Sequence, residues 1–566
     1  MSEYERRKVL QAGAAVLGGI ALGTRTVSAV TASERRFFVD METTSMDEMG
    51  DVEVVYDLRE RTGFAVVEGG ESALPDGAAY APDMTVEIEV PEQETMDMEA
   101  EDAEEPFYGL QWDKQEQNVE AVHETATGEG TRIGIVDDGV LGANPDRDVV
   151  HPDLPDVNEE LSQNFTDDGN GPGPLNDDHG THCAGTAAAA DNGTGVVGVA
   201  PDAEIVDLRV FSGQGASFAD VAAAVVVGGA PEGAQVNVGT AENPEVYTGA
   251  GCDVLNLSLG SGPLPPSEPV QVVRDAQAAA AQFALANGCL PIASAGNDST
   301  NLDASPEGFE ESFVNLPSEA DGFMSIGAAG PVGFGWPAGE DAETIAGYPV
   351  ESDPQVELPT EEPAFYTNYG AEGVDVTAGG GNADLDALNA ADGPNAFYDL
   401  VFSTGIANLL PPDPDGDGEA ENPEDTVLDE YVPGYVFKAG TSFSAPNVAG
   451  IAAVLFSVAR DAGPAAVRAA IEDTAQPRPV GRAAETTAPG VTPNESQDGD
   501  FDGDKPSSPG SVPGRLDPET YRGEGHVNLA AAVEQIGGEG VDGDEDGGGR
   551  GPPSDPPGRG RGRGGN

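Results

Sequence analysis

The chain has 566 residues, with 102 acidic against 25 basic side chains and a formal net charge of −77. The length allows one large domain with appendages, and the charge excludes the basic face that nucleic-acid binding needs. Lysine is confined to Lys8, Lys114, Lys438 and Lys505. A surface this acidic repels itself in dilute solution but not where salt cuts the screening length to about 3 Å, so the composition reads as adaptation to high salt.

An acidic disordered chain is the competing reading. Apolar runs such as Val196–Val199 and Ile451–Val458 favour a buried core instead. The three cysteines, Cys183, Cys252 and Cys289, are an odd number, so this is no disulfide framework. Cys252 and Cys289 are the pair that sequence leaves open.

In chain order, residues 1–29 read as an export signal. Arg6-Arg7-Lys8 precedes an apolar Ala12–Leu22 stretch, and Val27-Ser28-Ala29 offers small residues for cleavage. The paired arginines indicate the twin-arginine route, with an ordinary Sec signal or a retained anchor as the alternatives, and the apolar run is short for a membrane span, so no membrane insertion is expected after signal removal. Residues 30–105 form a separate block. Arg36–Val39, Val52–Tyr56, Gly63–Val67 and Met84–Val90 alternate as strands do, and the acidic Glu92–Glu105 run predicts an exposed linker.

Residues 106–536 read as the main domain. Arg132–Val136, Glu204–Val210, Asp253–Leu257, Leu290–Ala293 and Met324–Ala328 predict strands, and Ala-rich Gln271–Asn287 predicts a helix. Strands alternating with helices imply an α/β fold: a doubly wound, mostly parallel sheet covered on both faces. Its functional groups belong at the carboxyl ends of strands, where Asp137 and Asn297 fall. Asn158–Asp178, Gly228–Gly251, Asp298–Gly322, Pro331–Pro363 and Asn382–Pro433 read as acidic or Gly/Pro-rich surface insertions. Residues 537–566 form a Gly/Pro/Arg/Asp tail, disordered by composition.

Three distant segments carry chemistry: Ile135-Val136-Asp137-Asp138-Gly139, Asp178-His179-Gly180-Thr181-His182-Cys183-Ala184-Gly185, and Gly440-Thr441-Ser442-Phe443-Ser444-Ala445-Pro446. A serine hydroxyl is a weak nucleophile until a base takes its proton, and the base needs an anion to hold its ring. Ser442 before a helix-starting proline, His179 as base and Asp137 as anion fill those roles. His179 and His182 are three apart with Gly180-Thr181 between them, which is not the zinc-binding pattern of two histidines four apart beside a glutamate. A serine esterase would set its nucleophile in Gly-x-Ser-x-Gly, which Ser442 lacks.

The order Asp, His, Ser and the flanking residues resemble those of subtilisin-like serine proteases, in particular the halophilic archaeal halolysin type. The resemblance runs over about Tyr108–Val533. It implies a secreted serine endopeptidase of broad specificity that acts on protein and peptide substrates, as a monomer, through an acyl-enzyme. It selects Asp137 over Asp138 and makes His182 structural. It assigns Asn297, after Ala293-Ser294-Ala295-Gly296, as oxyanion donor together with the Ser442 N–H. It also makes Ser258-Leu259-Gly260 the strand that pairs with substrate, and Ala295-Gly296 a wall of the specificity pocket. The segment departs from the family in holding Asn447 where histidine is frequent. Residues 30–105 become a small α+β pro-domain that assists folding and inhibits. Catalysis needs no cofactor. Structural Ca²⁺ is suggested at Asp191-Asn192-Gly193-Thr194-Gly195, and the acidic runs Asp413–Glu419 and Asp498–Asp504 resemble incomplete calcium loops. The alternative is a catalytically inactive binding or cell-surface scaffold of the same fold, which has no use for the full set of site residues.

Overall fold

The computed structural model describes residues 31–87, 94–99, 106–331, 363–382, 399–407, 431–476 and 523–538, apart from 148, 176, 213–214, 241–243, 306–308, 310–311 and 365. The export signal, both Asp-rich runs and nearly all of the tail lie outside the described residues.

The N-terminal block contributes strands β1 (Thr31–Asp40), β2 (Val52–Asp57), β3 (Phe64–Gly69) and β4 (Tyr80–Glu87), followed by β5 (Glu94–Glu99). The main sheet is built from β6 (Arg132–Ile135), β7 (Gln163–Asn164), β8 (Glu204–Arg209), then, after the short β9 (Phe211–Ser212) and β10 (Gly215–Ser217), β11 (Val254–Leu257), β12 (Leu290–Ser294), β13 (Met324–Ala329) and β14 (Val376–Gly379). Its order is β14-β13-β12-β11-β6-β8-β7, and every pairing is parallel. Strands β15 (Val401–Ile406) and β16 (Pro433–Lys438) form a separate antiparallel hairpin.

Helices cover both faces, as a parallel sheet requires. Strand side chains alternate between them. Val254, Leu290, Ile292 and Met324 face α1 (His179–Ala188), α4 (Thr441–Val458), α5 (Pro464–Thr474) and α6 (Leu529–Gly538). Leu255, Leu257 and Ala293 face α2 (Phe218–Gly229) and α3 (Glu268–Ala286). The fold is the expected α/β, doubly wound architecture. The histidine and serine candidates therefore start two helices packed on one face, and Asp137 follows a central strand.

Several segments differ from expectation. Asn382–Pro433, expected to be a surface insertion, contains β15 in its described part, and all six residues of that strand are buried. Gly228–Gly251 contains a small antiparallel pair, Gln235–Asn237 with Val246–Thr248. The exposed linker expected at Glu92–Glu105 instead contains β5, paired antiparallel with β16. The acidic composition hid a backbone whose N–H and C=O groups complete the open edge of a hairpin. Cys183, Cys252 and Cys289 are all buried free thiols.

The N-terminal strands form an antiparallel sheet, β2-β3-β1-β4, which continues into β10 and β9 of the main domain. Phe38, Val66 and Met84 pack in one core with residues of α2 and α3. Asp83 takes the Ala219 N–H and the Ser217 hydroxyl at the start of α2, which satisfies donors that the first helical turn leaves open. Arg36 lies among Asp83, Asp220 and Asp167 at the same junction.

Candidate active site

Asp137 follows β6 and has no exposed surface. Its Oδ1 accepts the Asp138 N–H at 2.8 Å and lies 2.7 Å from His179 Nδ1. Asp138 turns the other way and accepts the Gly180 N–H at 2.7 Å. Gly180 makes this approach possible, because a Cβ there would sit 2.7 Å from the Gly139 carbonyl. Burial disfavours a charged ring at His179, but the Asp137 carboxylate overrides it and holds the imidazole well above its ordinary range. His182 is fully buried, contacts the Val401 carbonyl and packs on Phe443, and burial keeps it neutral.

Ser442 lies in the first turn of α4. Its Oγ donates to the Ser258 carbonyl at 3.3 Å. Its own carbonyl accepts from Ser258 Oγ at 2.6 Å and from the Cys183 thiol at 3.4 Å. Cys183, one turn after His179 on α1, also has its sulfur 4.0 Å from His179 Nδ1. The His179 and Ser442 segments are thus separated by one thiol, with Phe443 packed against the His179 ring at 5.3 Å between centroids. Burial raises the Cys183 thiol above its ordinary range, so it stays uncharged. Asp137, His179 and Cys183 would offer a metal three ligand atoms within 4.8 Å, but a protonated thiol is a poor ligand.

Asn297 follows the turn after β12. Its Oδ1 accepts from both the N–H and the hydroxyl of Thr441, each at 2.9 Å. Two donors on one oxygen fix the amide orientation and leave Nδ2 as the outward donor. Among the described residues Nδ2 has no acceptor, and neither does the Ser442 N–H, an orphan of the first helical turn. The turn needs Gly296: its φ is +98°, and a Cβ would lie 2.5 Å from Asn368 Nδ2. Asn368 braces the loop by donating to the Ala295 carbonyl and accepting from the Asp298 and Thr300 N–H groups. Thr441 was legible as part of the Gly-Thr-Ser segment. Asn368 was not, because it lies 70 residues from Asp298 in a stretch with no local signal.

Of the residues read as substrate-binding, Leu259 and Ala295 place their side chains in the interior, Ala295 beside Leu302 and Val374. The Ala295 carbonyl is taken by the Asn315 and Asn368 amides, and the Gly296 N–H by Thr441. Ala295 is therefore buried, and its carbonyl anchors the loop. Ser258 is also buried and faces Ser442, while Gly260 is half-buried, with neither backbone group paired among the described residues.

The model of the Subtilase family matches residues 128–503. The chain belongs to the subtilase family. It is similar to Subtilisin DY of Bacillus licheniformis, 29% identical over 201 residues that cover 36% of this chain and 57% of the relative. It is also similar to an Extracellular protease of Xanthomonas campestris, 26% identical over 368 residues that cover 60% and 46%. This subtilase thus spans about half the length of the curated relatives it matches. Its fold resembles that of the epidermin leader peptide processing serine protease of Staphylococcus aureus, with TM-score 0.55, 16% identity, and coverage of 91% of this chain and 100% of the other. It likewise resembles fervidolysin of Fervidobacterium pennivorans, with TM-score 0.50, 19% identity, and coverage of 89% and 61%.

Proposed function

We propose that this subtilase is a secreted, halophilic serine endopeptidase with Asp137, His179 and Ser442 as its triad. The contact between His179 Nδ1 and Asp137 carries the reading. It leaves Nε2 as the ring's free nitrogen on a helix packed against the one that bears Ser442. In the reaction, the Ser442 hydroxyl rotates from the Ser258 carbonyl and attacks the scissile carbonyl carbon as His179 Nε2 takes its proton. Asp137 stays ionised and stabilises the imidazolium. The oxyanion is held by Asn297 Nδ2 and the Ser442 N–H. His179 then protonates the leaving amine, and an acyl-enzyme remains. Water, deprotonated by the same imidazole, releases the acid and restores Ser442. The backbone of Ser258–Gly260 pairs with extended substrate, which supports broad specificity.

Residues 30–105 act as the pro-domain. The sheet shared through β10, and the capping of α2 by Asp83, support a block that stabilises the fold it sits on. Residues 106–536 then form the catalytic domain, 1–29 a twin-arginine signal and 537–566 an appended tail. The name of the Xanthomonas relative supports export. The halolysin-type resemblance and the net charge of −77 support work at high salt.

Calcium does not fit the Asp191–Gly195 loop as it stands. Asn192 Oδ1 accepts from Thr194, and Asn192 Nδ2 donates to Asp153. Asp153 Oδ2 accepts from Val196 and Tyr435. These oxygens are taken by N–H and O–H donors of the protein rather than by a cation.

Casein hydrolysis in molar salt tests the function. The wild type is expected to cleave, and folded Ser442→Ala to lose activity by several orders of magnitude. Full activity in that variant would refute the assignment.

A further inference from the structure

Lys438 ends β16, four residues before Ser442, and its side chain is 1% exposed. In a chain with so few lysines, a fully interior one calls for a reason. Its Nζ lies 2.6 Å from Asp178 Oδ1 and 3.7 Å from Asp177 Oδ1. Burial alone would discharge the ammonium, but Asp178 and then Asp177 outweigh it and keep Lys438 charged.

Those carboxylates are not passive. Asp177 Oδ1 accepts the N–H groups of Asp178 and His179 at 2.7 and 3.2 Å, so it holds the first turn of α1. Asp178 Oδ2 accepts the Ile406 N–H at 2.8 Å. The hairpin meets α1 twice more, where Thr404 Oγ1 donates to the Thr181 carbonyl and His182 contacts the Val401 carbonyl. β15 therefore grips the His179 helix, and its partner β16, through Lys438, reaches the same helix start and runs directly into Ser442.

We propose that Lys438 is a positioning residue that ties the segment delivering Ser442 to the carboxylates that set the first turn of the His179 helix. The inference rests on the assignment of His179 and Ser442 above. Lys438 also offsets charge around the base. His179 faces Asp137 and Asp138 from the β6 loop, Asp177 and Asp178 from its own N-terminus, and Cys183 and His182 along its helix. Lys114 is a second buried cation acting on His182. Removing Lys438, which pairs with Asp177 and Asp178, leaves a more negative surround at the helix start, which favours the imidazolium.

The test uses the full chain in molar salt, with Lys438→Met and the charge-balanced pair Lys438→Met/Asp178→Asn. Melting curves, kcat and KM on a chromogenic peptide, and the pH profile of kcat/KM are measured. Both variants are expected to lose about tenfold to a hundredfold in plateau kcat with KM within about twofold of wild type. The acid limb should move to higher pH in Lys438→Met and return in the pair. Wild-type kcat in a folded pair, or a limb that does not follow the charge, would overturn the proposal. Loss of folding in both would assign Lys438 to stability alone and overturn it equally. Hydrolysis retained by Ser442→Ala would instead remove the assignment beneath it.

Discussion

Each candidate side chain at this site is held by a second group that fixes which of its atoms is free. Asp137 occupies Nδ1 of His179, and Thr441 occupies Oδ1 of Asn297, so Nε2 and Nδ2 remain for the reaction. Two predictions belong at this scale. Because Asp137 raises His179 above its ordinary value of 6.5, the neutral base forms only at higher pH. Activity should therefore rise through an acid limb above that value, and Asp137→Asn should lower the limb along with the rate. A pH profile of kcat/KM in both proteins checks this. Asn297→Ala should cost about a hundredfold to a thousandfold in kcat with little change in KM, the size such a donor carries in a subtilisin itself; steady-state kinetics checks it. The segments holding the proposed triad stood out in the sequence because their neighbours form dense local patterns. The supports were not, because Asn368, Lys438 and Asp178 act across the fold on atoms far away in sequence.

The junction between the N-terminal sheet and α2 gives an element-scale prediction. One guanidinium, Arg36, serves Asp83 and Asp220 together, and Tyr56 OH donates to Asp220 at 2.9 Å. Burial raises Asp83 to about 6 and Asp220 to about 7. The docked state therefore holds more protons than the separated one, whose carboxylates titrate at about 3.9. Docking contributes fully below that value and weakens as pH rises through 6 and 7. After cleavage, the block should co-elute with the catalytic part in size-exclusion runs at about pH 5 and separate at about pH 8, and Asp83→Asn/Asp220→Asn should flatten the difference. Co-elution unchanged with pH would contradict it. The parallel strands were legible because runs buried on both faces are continuously apolar. β15 and β5 were missed because acidic neighbours mask short strands whose stability comes from hairpin pairing rather than local propensity.

For the whole molecule, net charge decides the conditions of folding. The 25 basic residues leave 102 acidic ones with a net excess of −77, and the proposed halophilic reading assigns the screening of that excess to salt. Dialysis from molar salt to about 0.05 M lengthens the screening distance severalfold. It should lower the melting temperature and abolish activity, with recovery on adding NaCl but not sucrose; full activity after hours in dilute buffer would contradict this. The proposed chemistry depends on the Ser442 hydroxyl, and a fluorophosphonate probe reads it directly. One phosphonyl group per folded chain is expected, on the peptide containing Ser442, and it should be lost in His179→Ala. Label on another residue, or undiminished labelling without His179, would contradict it.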